Sequence, residues 1–307
     1  MASQVRIDDD AVQALATELA AELRATSDVD WPAPHLGTSD APPEAVAGWT
    51  LQLSCLNFSF WQDEPRWRVD GRDGYMALAT ALRRGYDNGI PIGNATADAV
   101  RSVDELAMIL HGDPGGPSVP PLLAERHAVA TTSARWLLRD FGGSALAALA
   151  FAADAGGFAS LLATTLPLFR DVAEYRGKRV PLLKRAQIAA YDCSLALGDS
   201  APAPLRRRDG LTAFADYKVP QVLREHGVLV YEPALAAAVD AIVELVPGCE
   251  EETEIRALTV VAIERLRAAL AERGVAVPAC DLDSRLWWRS QGMKMAHPYH
   301  RVRTIWY

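Results

Sequence analysis

The chain has 307 residues, of which half are hydrophobic, and a formal net charge of −8. This length suits one large domain or two small ones. No run of about 18 uncharged apolar residues occurs, so a membrane span is not expected. The N-terminus turns acidic at once, which argues against a secretory signal peptide, and a cytoplasmic location is expected. Because proteins that track a nucleic-acid backbone are usually basic, generic nucleic-acid binding is disfavoured.

Histidine and cysteine spacing gives no metal or cofactor signature. The four cysteines lie far apart and form no C-x-x-C pair, so reduced thiols are expected rather than a zinc site or a disulfide framework. His297 and His300 are spaced i, i+3 but lack a third ligand nearby. Gly115 and Gly116 follow no predicted strand and lack phosphate-loop spacing. We therefore predict neither a metal nor a cofactor.

Helical periodicity dominates the chain. In residues 10–25 the apolar side chains recur on one stripe, which predicts a first helix. Ser102 and Glu105 form the sequence of a capping box, which predicts a helix start. A prolyl pair at 120–121 and Gly142 bracket another helix, following the tendency for proline to precede and glycine to follow. Residues 252–273 are predicted to form the longest helix.

Strand signals are few. Residues 66–70 alternate and are followed by the turn sequence GRDG, which predicts a short hairpin. Residues 228–231 predict a second short strand or a buried extended piece. Segments rich in turn-forming residues predict loops at 31–44, 111–121 and 198–210. Together these patterns predict a mainly α, compact fold with a small β-hairpin element, in one unit.

Several irregular segments contain residues that helix formation alone does not require. These segments are LNFSFW at 56–61, FRD at 169–171, KRAQI at 184–188, FADYKVPQ at 214–221, EIR at 254–256, DSRLW at 283–287 and HRVRTIWY at 300–307. Shorter matches are GY at 74–75, GIP at 89–91 and ERH at 125–127. In this order and at these separations they resemble the queuosine salvage family. The resemblance spans residues 30 to 307, so a single domain over 1–307 is expected, with its N-terminal helix within 1–30 less well matched.

The resemblance implies a hydrolase that acts on queuosine 5'-phosphate and yields queuine and ribose 5-phosphate. It also implies a helical architecture similar to that of DNA glycosylases. Cleavage of an N-glycosidic bond builds positive charge on the ribose, which a nearby carboxylate can stabilise while it orients or deprotonates water. The base is a 7-deazapurine, so it has no N7 to accept the proton that usually assists departure of a purine. More of the barrier must then be lowered by stabilising the sugar cation.

Asp216 is the candidate catalytic carboxylate, because the family pattern has its catalytic carboxylate at this place in the FADYKVPQ block. The pattern also places Phe214 against the base. Residues i and i+2 point to the same side of an extended segment, which suits an aromatic ring under the base and a carboxylate under the sugar. From its spacing alone, Asp216 is more typical of a loop residue that caps the helix beginning near Pro220.

The resemblance implies that Asp283 holds queuine, whose side chain carries a secondary amine and a cyclopentenediol. A carboxylate pairs with an ammonium group and accepts from hydroxyls. The family carries a second acidic residue five positions later, where this chain has Trp288. As a bare pattern, Asp283 is more typical of a helix N-cap.

Further candidates for ligand binding come from the remaining matched blocks. His35 matches a ligand-contacting histidine, although a lone histidine in a proline-rich loop is usually exposed. Asn57 could lend its amide to the site, while the aromatic residues around it are more typical of core. Tyr217 and Trp287 complete the candidate set.

The phosphate requires cationic donors or a helix terminus. Lys184 stands at a predicted helix start and Lys218 lies beside the candidate catalytic carboxylate. Both are predicted to bind the substrate, although a solvated charge is the ordinary role of a lysine. Asp171 is a rival carboxylate, or an ion-pair partner of Arg170 or Lys184.

Two other functions remain open. A base-excision glycosylase acting on DNA would share the expected architecture, although the charge of −8 disfavours it. A non-catalytic helical module that binds queuine or tRNA would not require an aspartate at 216. The expected state is a monomer that binds a small molecule, without a stable nucleic-acid complex or a membrane.

Overall fold

Helices form most of the computed structural model, which describes residues 2–25 and 31–307. The α-helices are α1 Asp9–Ala25, α2 Pro43–Leu56, α3 Gly74–Asp87, α4 Ala95–Asp98, α5 Val103–Ile109, α6 Leu123–Phe141, α7 Ala145–Phe151, α8 Ala155–Thr165, α9 Lys184–Leu197, α10 Lys218–Glu225, α11 Pro233–Asp240, α12 Glu250–Glu272 and α13 Ala279–Ser290. The strands are β1 Val5–Ile7, β2 Arg68–Val69, β3 Arg72–Asp73, β4 Val172–Tyr175, β5 Lys178–Pro181 and β6 Leu229–Tyr231. The mainly helical prediction is confirmed. Residues 26–30 of the predicted N-terminal segment lie outside the described residues.

The predicted helix boundaries follow local chemistry. Ser102 accepts from the backbone N–H of Glu105, whose carboxylate accepts from the backbone N–H of Ser102, so the capping box is present. Gly142 ends α6 with a φ of 60°, a left-handed conformation that glycine adopts without a Cβ penalty. Helix α12, with 23 residues, is the longest described helix, as predicted.

Three two-stranded antiparallel sheets flank the helices. The predicted hairpin is β2 with β3, and the predicted strand at 228–231 is β6, which pairs with β1. The β4–β5 hairpin was not predicted, because its strands are half exposed and lack a clear alternation of polar and apolar residues. Its turn places Gly177 at a φ of 74°. The predicted loop at 198–210 contains two short 3-10 turns, Gly198–Ser200 and Ala203–Arg206.

Two hydrophobic clusters form the interior. The larger contains side chains of α2, α3 and α5 to α9. The smaller is built around α1, α10, α12 and α13, with strands β1 and β6. A cavity lies where the two clusters meet, lined by residues of α3, α9, α10 and α13 and of the segments after α2 and at the C-terminus.

None of the described helices is by itself long and apolar enough to cross a bilayer, although α7 and α8, bent by 111° at their break, meet the length and composition criterion as a pair. The predicted similarity to DNA glycosylases and the single-domain organisation stay predictions.

Candidate functional site

The cavity between the two clusters has a volume of about 150 Å³ and a strongly aromatic wall. Aromatic residues lining it are Trp31, Phe58, Phe60, Trp61, Trp67, Tyr75, Tyr191, Phe214, Tyr217, Trp287, Trp288, Tyr299 and Tyr307. Its polar lining comprises His35, Asn57, Arg66, Asp73, Lys184, Asp192, Asp216, Lys218, Asp283, Ser284 and Gln291. A few convergent polar groups in an apolar cavity are typical of a small-molecule site.

All nine residues predicted from the sequence to serve the site line this cavity. They are Asn57, His35, Lys184, Phe214, Asp216, Tyr217, Lys218, Asp283 and Trp287. The structure therefore brings together residues that are up to about 250 positions apart in the chain. Their roles toward a ligand stay predictions.

Buried arginines hold the segment that follows α2. Arg126 donates to the carbonyl oxygens of Leu56, Phe58 and Ser59, and Arg185 donates to that of Cys55. The two guanidinium groups together satisfy four backbone carbonyls of this segment, which would otherwise be buried without a partner. This fixed backbone carries Asn57 and the aromatic rings after it to the cavity wall. The matched ERH block is therefore a structural support for the site.

Asp216 lies immediately before α10 and both caps that helix and faces the cavity. Its Oδ1 accepts from the backbone N–H groups of Lys218, at 2.7 Å, and Val219, at 3.1 Å. The prediction that Asp216 caps this helix is therefore confirmed by its hydrogen bonds. Since Oδ1 takes both bonds, the carboxylate is held in one orientation with Oδ2 left for the cavity. Phe214 lines the same cavity.

Asp283 lies within α13, which begins at Ala279, so the N-cap interpretation of this residue is wrong. Its Oδ2 accepts from the backbone N–H of Phe214 at 3.1 Å. Burial, and secondarily the negative charge of Asp216, raises the pKa of Asp283 well above its usual range. The hydrogen bond from Phe214 and the charge of Lys184 act in the opposite direction. Asp283 therefore ties the α13 wall to the segment that carries the candidate catalytic residue.

The two predicted lysines occupy different surroundings. Lys184 is buried at the start of α9, and burial lowers the pKa of its ammonium group. Asp216, Asp192 and Asp283 partly offset this lowering, because all three carboxylates lie close enough to interact with it. This lysine therefore supplies the positive charge in an acidic cluster.

Lys218 is only partly buried, and its Nζ lies 4.9 Å from the centroid of the Tyr299 ring. Burial lowers its pKa, Asp216 and Asp73 oppose that effect, and Arg66 adds to it. Two cations, Lys218 and Arg66, thus share one end of the cavity.

His35 is buried and forms a fixed, uncharged part of the cavity wall. A histidine in a proline-rich loop is usually exposed, so this position differs from that ordinary case. Its Nδ1 lies 2.6 Å from the carbonyl oxygen of Pro32, so Nδ1–H is the donor, and Nε2 accepts from the Tyr75 hydroxyl at 2.9 Å. Burial lowers the pKa of His35 to about 4, which keeps the ring neutral at neutral pH. Trp31 packs on the ring at 4.1 Å between centroids.

The sequence motifs did not identify several residues that line the cavity. The helical spacing of α9 is a signal that could have identified some of them. Lys184, Ile188, Tyr191, Asp192 and Leu195 all line the cavity at helical spacing. Extending the 3.6-residue period from Lys184 along the predicted helix would have placed Asp192 on the same face. Trp288 also lines the cavity and meets Trp287 edge to face at 5.1 Å.

The rival carboxylate Asp171 does not line the cavity, because it is buried against Arg256 on α12 and accepts from the backbone N–H of Lys184. The predicted ion-pair role is therefore correct, but its partner is Arg256 rather than Arg170 or Lys184. Within residues 2–25 and 31–307, no group of three or more His, Cys, Asp or Glu side chains is placed to hold a metal ion.

Comparison with known proteins identifies similar sequences over nearly the whole chain. The family model described as queuosine salvage protein matches residues 36–307. A Sphaerobacter thermophilus protein named queuosine 5'-phosphate N-glycosylase/hydrolase is 40% identical over 312 residues, covering 100% of this chain and 94% of its own. A Mus musculus protein of the same name is 32% identical over 99% of this chain and 94% of its own. The Schizosaccharomyces pombe protein of that name is 29% identical over 84% of this chain and 82% of its own.

Proposed function

Because the chain belongs to the queuosine salvage protein family, we propose that it hydrolyses the N-glycosidic bond of queuosine 5'-phosphate and releases queuine. The observation that carries this proposal is the fixed carboxylate of Asp216 in an enclosed aromatic cavity, beside Phe214. Relatives that carry the name of this activity align with nearly all of the chain. The substrate is a small-molecule nucleotide, as the names of these relatives imply.

Asp216 stabilises the sugar cation and orients the attacking water. Both backbone hydrogen bonds go to Oδ1, so the carboxylate needs no reorganisation when positive charge develops on the ribose. Oδ2 then lies free to face the anomeric carbon and to accept a proton from water.

The base occupies the aromatic part of the cavity. Phe214 stacks on the deazapurine ring, and Asp283 lies directly behind Phe214 through its backbone hydrogen bond. Burial and the charge of Asp216 raise the pKa of Asp283, whereas an arriving ammonium group favours its carboxylate form. Asp283 thereby binds the secondary amine of queuine, while His35, Asn57, Tyr217 and Trp287 complete the wall around the base and its side chain.

The phosphate binds at the Lys218 end. Lys218 and Arg66 are two cations at one end of the cavity, where Arg66 also pairs with the exposed carboxylates of Glu64 and Asp73, and a dianionic phosphate can bridge the two cations. Lys184, in contrast, is already surrounded by carboxylates, which would repel a phosphate. Of the two predicted lysines, Lys218 is therefore the phosphate ligand and Lys184 supports the carboxylates.

We further propose that the protein works as a monomer in the cytoplasm without a stable nucleic-acid complex. The net charge of −8 supports the last point, because a strongly acidic surface repels a phosphate backbone. Light scattering at two protein concentrations and a DNA- and tRNA-binding assay at low salt test this proposal. A dimer at both concentrations or saturable nucleic-acid binding would overturn it.

The function itself is tested by incubating queuosine 5'-phosphate with the protein and measuring free queuine by mass spectrometry. Wild type is expected to release queuine, and Asp216→Asn is expected to release none. Asp113→Asn is the matched control, because Asp113 also accepts two backbone N–H bonds, from Asp70 and Gly71, but lies outside the cavity. Release by wild type and by Asp113→Asn, but not by Asp216→Asn, supports both the reaction and the role of Asp216. No release by wild type would overturn the proposed function.

A further inference from the structure

Asp192 is a buried carboxylate in the cavity wall with an unsatisfied oxygen. It lies on the face of α9 that also carries Lys184 and Ile188, and its relative exposure is 5%. Its Oδ2 is buried and has no hydrogen-bond partner among the described residues. No role was assigned to it by the sequence motifs.

Two other buried carboxylates, Asp171 and Glu254, are fully engaged, whereas Asp281, which lies outside the cavity, pairs with Arg208 through Oδ2 and also has an oxygen without a partner in the described part of the chain. Asp171 accepts from both ends of the Arg256 guanidinium. Glu254 accepts from the backbone N–H groups of Ser3, Gln4 and Val5. Burying a carboxylate without such partners is costly, so an unsatisfied one in a native cavity requires a reason.

The surroundings of Asp192 favour a donor from outside the protein. Lys184, on the same helix, is the one charge that lowers its pKa, and it is shared with Asp216 and Asp283. From α3, the Tyr75 hydroxyl approaches, but it donates to His35. On the same face of α9, Ile188 and Leu195 are apolar, and low polarity strengthens any hydrogen bond that a ligand donates there.

We propose that Asp192 binds the base of the ligand by accepting a hydrogen bond from one of its N–H groups. The inference rests on the proposed function for the identity of that ligand. Queuine offers N–H donors in two places, namely the pyrimidine edge of its 7-deazaguanine ring and the secondary ammonium group of its side chain. Asp192, on α9, would thus be a second carboxylate that binds the base, in addition to Asp283 on α13.

The pKa of Asp192 is consistent with this role. Burial raises it to about 7, and Lys184 partly opposes that rise. The side chain is therefore close to its point of ionisation at neutral pH. A hydrogen bond donated by the ligand favours the carboxylate, so binding displaces a proton from this part of the cavity.

The test is the dissociation constant of free queuine and of 7-deazaguanine, which lacks the amine side chain, for wild type and Asp192→Asn. Loss of a charged, buried hydrogen bond is expected to weaken binding by about 10- to 100-fold. A loss for both bases supports a contact with the ring edge. A loss for queuine alone supports a contact with the ammonium group.

Asp98→Asn is the matched control, because Asp98 is equally buried but lies outside the cavity and is engaged by Arg101 and the backbone N–H of Gly93. We expect opposite patterns: Asp192→Asn loses affinity without losing thermal stability, whereas Asp98→Asn loses stability and keeps affinity. Asp192→Ala replaces the asparagine variant if that variant does not fold.

Unchanged affinity of a folded Asp192 variant for both bases would overturn the inference while leaving the proposed function intact. Failure of wild type both to bind queuine and to release it from queuosine 5'-phosphate would overturn both. Queuine release from queuosine 5'-phosphate, measured on the same preparations, separates the two cases.

Discussion

The guanidinium of Arg256 donates to both carboxylate oxygens of Asp171, at 3.0 and 2.6 Å, and both side chains are buried. The same arginine donates through Nε to the carbonyl oxygen of Ala215 at 2.9 Å. Asp171 in turn accepts from the backbone N–H of Lys184. One buried ion pair therefore fixes the backbone beside Asp216 and the start of α9.

Asp171→Asn is expected to destabilise the fold, because it leaves the Arg256 charge buried with a weakened partner. Breaking such a pair from one side costs about 3–5 kcal/mol in the free energy of unfolding. Urea denaturation measures this loss, and Asp140→Asn, which removes an exposed ion pair with Arg139, is the control expected to change little. Full stability of Asp171→Asn would contradict the proposed role of this ion pair in holding the fold.

Two substitutions at Asp216 separate its capping role from its chemistry. The amide oxygen of Asp216→Asn can accept the bonds from Lys218 and Val219, whereas Asp216→Ala cannot and should lose about 1 kcal/mol of stability. Both variants should lose turnover by about 100-fold or more, since neither supplies a carboxylate. Thermal unfolding and kcat are measured on the same samples. Near wild-type kcat in the asparagine variant would remove Asp216 from the mechanism.

The set of site residues could be predicted from the sequence because the matched motifs are short, polar and irregular. Asp216 and Lys184 stood out in this way, and both line the cavity. The same reasoning could not distinguish site residues from the groups that support them. Arg126 and Arg256 lie in equally good motifs, yet they bind backbone carbonyls and a buried carboxylate.

The remaining features depend on tertiary burial, which local pattern does not report. The β4–β5 hairpin has no strong alternation, and its partner contacts come from the distant α12, where Glu254 accepts from the Tyr175 hydroxyl. In the sequence pattern Asp283 resembles an N-cap, because only the structure shows that α13 begins four residues earlier, at Ala279. The unsatisfied state of Asp192 likewise becomes visible only when its neighbours are placed around it.

Lys218→Ala is expected to discriminate between the nucleotide and the nucleoside. If Lys218 binds the phosphate, KM for queuosine 5'-phosphate rises about tenfold or more, while KM for queuosine changes little. Lys178→Ala removes an exposed lysine of β5 outside the cavity and serves as the control. Equal changes for the two substrates would place the phosphate elsewhere in the cavity.

The raised pKa of Asp192 predicts a specific dependence of stability on pH. In the unfolded chain this carboxyl titrates near 3.8, and burial raises its pKa to about 7 in the folded protein. Between these values the folded state holds a proton that the unfolded chain has lost, so the free energy of unfolding falls as the pH rises from about 4 to 7. Above about 7 both states are ionised and this contribution is constant.

Asp192→Asn removes that titration, so the variant should gain stability relative to wild type as the pH rises through this window. Urea unfolding of both proteins at several pH values measures the difference, which includes a change at Lys184, because Asp192 raises the pKa of that lysine. Asp113→Asn is the control with a pKa shift in the opposite direction. Backbone hydrogen bonds lower the pKa of Asp113, so its contribution to stability is lost only in acid, below about pH 4. That control should run parallel to wild type between about pH 5 and 8. A parallel course for Asp192→Asn as well would mean that Asp192 is ionised in the empty cavity at all these pH values, with a partner that offsets its burial.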